Sequence, residues 1–198
     1  PKDPKIYAAM ITRMDTAIGR ILDMLDEFDC AENTLIFFTS DNGYSMEGAT
    51  ENPTLDEFFD HRGPYRGTKG TLLQGGVRVP TIARWPAAIE PGTESDLPWA
   101  YYDFLPTAAE VAGAECPRTD GISIAPEMTG QGHQSQHEFL YWELKDEQSV
   151  RLGDYYGYRP HPDEPIQIYL ADEDPAQEHD LADSRPVLAA RIEQIMAT

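Results

Sequence analysis

A long stretch with helical periodicity passes directly into a short apolar run, and this order limits the possible folds most. Over residues 6–28 apolar side chains recur every three or four positions, which predicts a long amphipathic helix. Residues 35–39, LIFFT, form a continuous apolar run that predicts a buried, parallel strand. A helix that leads into such a strand is the repeating unit of an α/β sheet, in which ligands bind at the carboxyl ends of strands.

The chain continues in the same α/β pattern up to about residue 130. After a long polar connection, a second strand is predicted at residues 77–85. A helix is predicted at residues 103–113, where Pro106 lies in the first turn and Gly113 ends the helix.

Beyond residue 132 the pattern changes to that of an antiparallel sheet followed by a helix. Three strand-like segments are predicted at residues 138–144, 149–158 and 165–170. Residues 186–196 predict a final helix with a proline at its first position. We therefore expect one domain over residues 1–132 and a smaller subdomain over residues 133–198.

The charge of the chain excludes some classes of partner. It carries 35 acidic and 15 basic residues, a formal net charge of -20, so that nucleic acid backbones and anionic membrane surfaces would be repelled. No apolar run approaches the roughly 18 residues that a membrane span requires, so none is expected. The two cysteines, Cys30 and Cys116, lack metal-site spacing, and the sequence leaves open whether they form a disulfide or are plain thiols.

Basic residues are concentrated in one acid-free segment. Residues 61–89 contain five cations and no Asp or Glu, together with several glycines whose backbone N–H groups can approach an anion closely. The segment predicts an anion site, and the alternative is a surface strand lined by long cations. Within it, His61 and Arg66 are candidates for binding substrate, although a lone loop histidine is more often without function. The five cations are Arg62, Arg66, Lys69, Arg78 and Arg84.

The sequence SDNG at residues 40–43 follows the first predicted strand. Asp41 and Asn42 offer a carboxylate and an amide oxygen, which are hard ligands suited to Ca²⁺ or Mg²⁺. Such an ion needs about six oxygens, so the others would have to come from elsewhere. The alternative is an ordinary tight turn, since Asp-Asn-Gly is a strong turn sequence.

Taken together, these segments resemble the formylglycine-dependent sulfatases of the alkaline-phosphatase superfamily. The resemblance covers nearly the whole chain. It is carried by NTLIFFTSDNG (33–43), RGTKG (66–70), GGVRVP (75–80), RWP (84–86), DFLPT (103–107), DGIS (120–123) and the tail from residue 169 to residue 182.

The resemblance implies an α/β fold and a set of roles. The fold would be an incomplete alkaline-phosphatase-like sheet with flanking helices, followed by a small C-terminal antiparallel sheet and helix. Asp41 and Asn42 would ligate a Ca²⁺ that is shared with residues outside this chain. Lys69 would contact the sulfate and the leaving-group oxygen as a catalytic residue. The substrate would be a sulfated small molecule or glycan, and the location would be periplasmic or extracellular.

The resemblance also identifies what the chain lacks. Neither cysteine begins the Cys/Ser-X-Pro-X-Arg motif from which the family makes its formylglycine nucleophile. The paired aspartates that complete the calcium site are not found either. We therefore expect the C-terminal portion of a sulfatase, with the missing N-terminal half as its partner and no activity by itself. A chain divided through its sheet would also expose a sheet edge and be poorly stable alone.

Two other functions stay open at this point. A phosphonate or phosphate monoester hydrolase of the same superfamily would use the same anion and metal chemistry. A non-catalytic module could bind calcium or an anionic glycan without turnover. Among the remaining residues, we expect His133, His137, His161 and His179 on the surface, and Trp85, Trp99 and Trp142 as core or interdomain anchors.

Overall fold

A computed structural model describes residues 4–45, 58–61 and 63–197 of the chain. Their elements alternate helix and strand in the first part and form a sheet with a following helix in the last part. None of the described helices is both long enough and apolar enough to cross a membrane. The helices are α1 (Pro4–Glu27), α2 (Gln74–Val77), α3 (Phe104–Val111), α4 (Ala125–Thr129) and α5 (Pro186–Met196). The strands are β1 (Ile36–Thr39), β2 (Thr81–Arg84), β3 (Leu140–Leu144), β4 (Glu147–Leu152), β5 (Tyr155–Arg159) and β6 (Gln167–Leu170).

The chain divides into two compact units, each made of separate segments. The first unit comprises Pro1–Ala17, Thr39–Pro80 and Tyr141–Thr198, and the second comprises Ile18–Phe38 and Thr81–Leu140. The predicted boundary at residue 132 stays a prediction.

The predicted helix over residues 6–28 is confirmed as α1, but other described residues pack against only part of its apolar surface. None of the 24 residues of α1 is buried. Tyr7 is half-buried against aromatic side chains, whereas Ile6, Met10 and Met14 are exposed by 54%, 55% and 44%. The helix therefore has an open apolar face as well as a partly covered one.

Strands β1 and β2 pair in a two-stranded sheet and differ in part from the sequence expectations. The expected burial of β1 is wrong for the described residues, because none of its residues is buried and Phe38 is 39% exposed. The second strand begins at Thr81 and not at residue 77. Residues Gln74–Val77 form a helical turn instead, and Pro80, which has no N–H to donate to a strand partner, directly precedes the strand.

The C-terminal sheet is antiparallel, as predicted, and has the strand order β3-β4-β5-β6. The single strand expected over residues 149–158 is wrong, since the chain reverses at Gly153 and forms the β4–β5 hairpin. Gly153 has φ +56°, a conformation that costs glycine little and that lets the two strands fold back on each other. Helix α5 is confirmed at residues 186–196 and packs Ile192 against Gly157 of β5. Fully buried side chains of this part include Ser149, Val150, Ile168 and Ile192.

Candidate functional site

The SDNG segment forms a compact turn directly after β1. The Ser40 hydroxyl donates to the carbonyl oxygen of Asn42 over 2.8 Å, and Asn42 Nδ2 donates to the carbonyl oxygen of Gly43 over 3.0 Å. Asp41 is exposed. Asn42 makes this bond with its side-chain N–H. Its side-chain oxygen, which is the atom that a cation would contact, takes no part in the bond.

Lys69 lies at the tip of a second turn. The Thr71 N–H donates to the carbonyl oxygen of Thr68 over 3.1 Å, which closes a four-residue turn with Lys69 and Gly70 at its centre. Gly70 has φ +90°, the positive value that a type II turn requires at its third position. The turn therefore presents Lys69 at an exposed position.

Backbone hydrogen bonds bring these two turns together. The Lys69 N–H donates to the carbonyl oxygen of Tyr44 over 2.7 Å, and the Gly43 N–H donates to the carbonyl oxygen of Gly76 over 2.9 Å. The Gly75 N–H in turn donates to the carbonyl oxygen of Arg66 over 2.7 Å. The acidic turn at residues 40–43 and the Lys69 turn are thus fixed to the same Gly-Gly segment.

Glycine is required at the points where these segments meet. A Cβ atom on Gly43 would lie 1.8 Å from the carbonyl oxygen of Gly75, and one on Gly75 would lie 2.4 Å from that of Gly67. A Cβ on Gly76 would lie 2.1 Å from the carbonyl oxygen of Thr71. These contacts explain Gly75 and Gly76 of the acid-free segment by close backbone packing.

His61 is held beside the acidic turn by aromatic contacts. Its ring stacks on Tyr44 at 5.0 Å and on Phe59 at 5.2 Å, and it meets the edge of Tyr7 at 4.9 Å. Because Tyr44 also accepts the Lys69 N–H, these contacts bring His61 to the same part of the first unit. Binding of substrate by His61 stays a prediction.

Arg66 contacts the segment that follows β6. Its backbone N–H donates to the carbonyl oxygen of Pro175, and its Nη1 donates to that of Gln177, each over 3.2 Å. This geometry gives Arg66 a structural role at the beginning of the loop that carries Lys69. A contact between Arg66 and substrate stays a prediction.

Arg78, one of the cations of the acid-free segment, is already paired with a carboxylate. Arg78 pairs with Asp172 at 2.8 Å, and Arg151 pairs with the other oxygen of that carboxylate at 2.7 Å. The hydrogen bond from Arg151, helped by Arg78 and opposed by partial burial, lowers the pKa of Asp172 to about 2. Arg84 belongs to the second compact unit, and Arg62 lies outside the described residues. An anion site in the acid-free segment stays a prediction.

The loop with Lys69 is also anchored to the C-terminal sheet. The Leu72 N–H donates to a Glu147 side-chain oxygen over 2.9 Å, and the Tyr156 hydroxyl donates to the carbonyl oxygen of Leu72 over 2.7 Å. Leu72 and Leu73 form a small apolar cluster with Tyr158, against which Trp142 packs. Trp142 is partly buried against this cluster, which agrees with the expectation of a core or interdomain anchor.

Comparison with known proteins establishes the family. A profile of the sulfatase family matches residues 4–114. The chain belongs to the sulfatase family. The steryl-sulfatase of Rattus norvegicus is 39% identical over 138 residues, which make up 68% of this chain and 24% of that protein. This sulfatase chain thus spans about a quarter of the length of that curated relative.

Solved structures confirm the fold of this sulfatase chain. The crystal structure of Ps i-CgsB matches with a TM-score of 0.81 at 25% identity, over 100% of this chain and 43% of that one. The phosphonate monoester hydrolase SpPMH from Silicibacter pomeroyi matches with a TM-score of 0.70 at 22% identity, over 92% and 38%. The predicted α/β fold of the alkaline-phosphatase-like class is therefore confirmed.

The acidic turn of the sulfatase chain fits part of a calcium shell. Asp41 and Asn42 are adjacent hard oxygen donors on one turn, which suits Ca²⁺ by chemistry. In residues 4–45, 58–61 and 63–197, no group of three or more His, Cys, Asp or Glu side chains could hold a metal ion. A full shell of about six oxygens thus needs ligands in addition to these two.

A buried polar pair in the second unit was missed from the sequence. Asp103 is 0% exposed, and one of its carboxylate oxygens lies 2.7 Å from His137 Nε2 and accepts the Ile122 N–H over 2.7 Å. The other oxygen accepts the Ala100 N–H over 2.9 Å. The expectation that His137 lies on the surface is wrong, whereas His133, His161 and His179 are exposed as predicted.

No local pattern distinguishes His137 from the exposed histidines, because its partner is 34 residues away in the sequence. The ring of Tyr102 meets His137 edge-on at 5.4 Å. Burial, with Asp103 and Asp120 nearby, raises the pKa of Tyr102 to about 12. The pair therefore lies in a largely desolvated environment within the second unit.

Proposed function

We propose that this chain is the C-terminal portion of a sulfuric ester hydrolase, and that it supplies part of the metal and sulfate site. One observation carries the proposal. The Lys69 N–H donates to Tyr44 over 2.7 Å, three residues beyond Asp41, so that a cationic side chain and two hard oxygen ligands are fixed in one region. An anion bound to a metal at Asp41 and Asn42 would lie next to a positive charge.

Lys69 would act on the anion by charge. An ammonium about 4 Å from an anionic oxygen contributes roughly 4 kcal/mol at an effective dielectric constant near 20. The interaction strengthens as negative charge develops on the leaving oxygen, so Lys69 would stabilise the transition state more than the bound substrate. Its ammonium group would also be placed to donate a proton to the departing alcohol.

Asp41 and Asn42 would hold the metal with ligands from outside this chain. When bound, Ca²⁺ would supply electrostatic polarisation of a sulfate oxygen. His61, held by Tyr44 and Phe59, would donate to a hydroxyl or sulfate group of a sulfated small molecule or glycan. Arg66 would support the same region from the beginning of the Lys69 loop.

The nucleophile would come from outside this chain as a formylglycine. Neither Cys30 nor Cys116 lies in a Cys/Ser-X-Pro-X-Arg motif, and both are free thiols in the structure. We therefore propose that the chain alone does not hydrolyse sulfate esters. By family resemblance, the complete enzyme would act in the periplasm or outside the cell.

The open face of α1 supports contact with further sulfatase polypeptide. Apolar side chains at steps of three, four and seven residues lie on one side of this helix within an arc of about 80°. An apolar helix face of this length is normally covered by another element. The matched relative is about four times as long as the part that this chain spans, so it has polypeptide to provide such cover. The exposed residues within this arc are Ile6, Met10, Met14, Ile21 and Met24.

The test is hydrolysis of an aryl sulfate by the longer polypeptide encoded by the gene when it is read in frame upstream of residue 1. We expect an upstream Cys/Ser-X-Pro-X-Arg motif and paired aspartates. Lys69→Gln should then lower kcat/KM by at least about a hundredfold, since it removes a charge aimed at the reacting group. Lys145→Gln is the matched control, because Lys145 lies in the turn between β3 and β4.

The outcomes separate the candidate functions. A near-normal rate for Lys69→Gln would refute the role of Lys69. Faster turnover of a phosphonate monoester than of a sulfate ester would favour a phosphohydrolase. Calcium binding by the longer polypeptide without any turnover would favour a binding module.

A further inference from the structure

The segment at residues 171–177, which follows β6, holds both ends of the loop that carries Lys69. At the beginning of the loop, Arg66 donates to the carbonyl oxygens of Pro175 and Gln177. At its end, the Gln74 N–H donates to Gln177 Oε1 over 3.0 Å, and Gln74 Nε2 donates to the carbonyl oxygen of Ala171 over 2.8 Å. Gln177 is the residue that contacts both ends.

Gln177 occupies this position at an energetic cost. Its side chain ends in a polar amide, yet the residue is only 2% exposed. Its Nε2 is buried and has no hydrogen-bond partner among the residues that the structure describes. Its backbone has φ +52°, which is unfavourable for a residue with a side chain. An apolar residue of similar size would avoid the buried amide but could not accept the Gln74 N–H. The bond from the Gln74 N–H is therefore what the Gln177 side chain provides and an apolar side chain cannot.

The position of the loop determines the position of Lys69. Between the two ends held by Gln177, the Lys69 N–H donates to Tyr44, beside the acidic turn at residues 40–43. A loop without the Gln177 bonds would be held less tightly at its two ends and would rely on its remaining contacts, which include those of Lys69, Leu72 and Gly75. The distance between the Lys69 ammonium and an anion bound at Asp41 and Asn42 would then vary.

We propose that Gln177 is a positioning residue that fixes Lys69 relative to the acidic turn. The catalytic part of this inference rests on the proposed function, whereas the mechanical part concerns the loop alone. Gln177 acts through two hydrogen bonds, one from Arg66 Nη1 to its carbonyl oxygen and one from the Gln74 N–H to its side-chain oxygen.

The mechanical part is tested by hydrogen exchange of this chain. Gln177→Met removes the side-chain acceptor at similar volume, and we expect exchange at the Gln74 amide to accelerate by at least about fivefold. Gln148→Met is the matched control, since Gln148 makes side-chain bonds to Tyr141 and Met196 within the same unit. Unchanged exchange in Gln177→Met, or equal acceleration in Gln148→Met, would overturn the inference.

A second variant covers the case in which Gln177→Met fails to fold. Arg66→Met alters an exposed residue, keeps the backbone bond to Pro175, and removes the guanidinium group that bonds to Gln177 and interacts with Tyr169. We expect faster exchange over residues 66–70 and unchanged exchange in β4 and β5. Unchanged exchange at residues 66–70 would overturn the inference as well.

The catalytic part is tested by a double-mutant cycle in the longer polypeptide, with aryl sulfate as substrate. If Gln177 acts through Lys69, Gln177→Met should lower kcat/KM about tenfold in the parent and less than about twofold in the Lys69→Gln background. Equal losses in both backgrounds would overturn it. If Lys69→Gln alone has no effect, the proposed function fails, whereas the exchange result for the loop is judged separately.

Discussion

Gly43 faces the carbonyl oxygen of Gly75 so closely that a Cβ atom at Gly43 would lie 1.8 Å from it. The Gly43 N–H also donates to Gly76, so the acidic turn and the Gly-Gly segment are packed backbone against backbone. This contact links the strand end that carries Asp41 and Asn42 to the loop that carries Lys69.

We therefore expect Gly43→Ala to destabilise the chain by about 1–3 kcal/mol, because one of the two backbones must move. Gly19→Ala is the matched control. A Cβ at Gly19, in the interior of α1, would meet no described atom within 4 Å apart from its chain neighbours and the surrounding helix backbone. This change should therefore stabilise the helix by up to ~1 kcal/mol. Urea unfolding of both variants measures the difference, and equal effects of the two changes would contradict the packing argument.

The sequence predicts a helix or strand well when the residues that determine it are close together in the chain. Helix α5 was predicted with its observed bounds because Pro186 can begin a helix and the apolar positions that follow have helical spacing. The hairpin between β4 and β5 also has a local signal, the two-residue turn Gly153-Asp154, but it was missed because the strand-forming residues on both sides were read as one run. The burial of β1 was overestimated because an apolar run shows that a strand favours burial but not which segment covers it.

The same difference between local and long-range signals applies to individual residues. Asp41, Asn42 and Lys69 are predicted as site residues from short motifs, and the two turns that carry them are bonded to the same Gly-Gly segment. Gln177 and His137 were missed, because their contacts join residues 103 and 34 positions apart. No periodicity or spacing within a short window carries such information.

The ion-pair cluster around Asp172 predicts a dependence of stability on pH. The pKa of Asp172 in the folded chain is about 2, below its usual 3.8, mainly because Arg151 donates a hydrogen bond to the carboxylate. Its contribution to stability is therefore complete above about pH 4 and is lost as the pH falls towards 2. Because the carboxyl group is 58% exposed, the contribution should stay below about 1 kcal/mol.

We expect the free energy of unfolding to differ between the parent and Asp172→Asn at pH 6, and this difference to decrease between pH 4 and pH 2. Asp183→Asn, at an exposed position in the same unit, is the control and should differ little from the parent throughout. A difference for Asp172→Asn that stays constant down to pH 2 would argue against the ion pairs.

The buried pair of Asp103 and His137 predicts a stability effect in the second unit. His137→Ala removes one partner of a carboxylate that is 0% exposed, and leaves that oxygen with the Ile122 N–H alone. The expected loss is about 1–3 kcal/mol, the cost of an incompletely satisfied buried polar group. Urea unfolding measures it against His133→Ala, an exposed position, for which a few tenths of a kcal/mol is expected. Equal losses would mean that the pair contributes nothing.

The calcium affinities of this chain alone and of the longer polypeptide test whether Asp41 and Asn42 are part of a larger calcium site. Asp41 and Asn42 provide two oxygens, whereas Ca²⁺ takes about six to eight. Titration calorimetry of the chain alone should therefore show binding no tighter than about 1 mM, the weak end of protein calcium sites. In the longer polypeptide, binding should be tighter, and Asp41→Ala should weaken it at least about tenfold because it removes a charged ligand. Asp15→Ala, an exposed acid on α1, provides the control for general loss of negative charge.

Unchanged affinity in Asp41→Ala would show that the acidic turn is structural only. Micromolar binding by the chain alone would show that its own residues form a complete site.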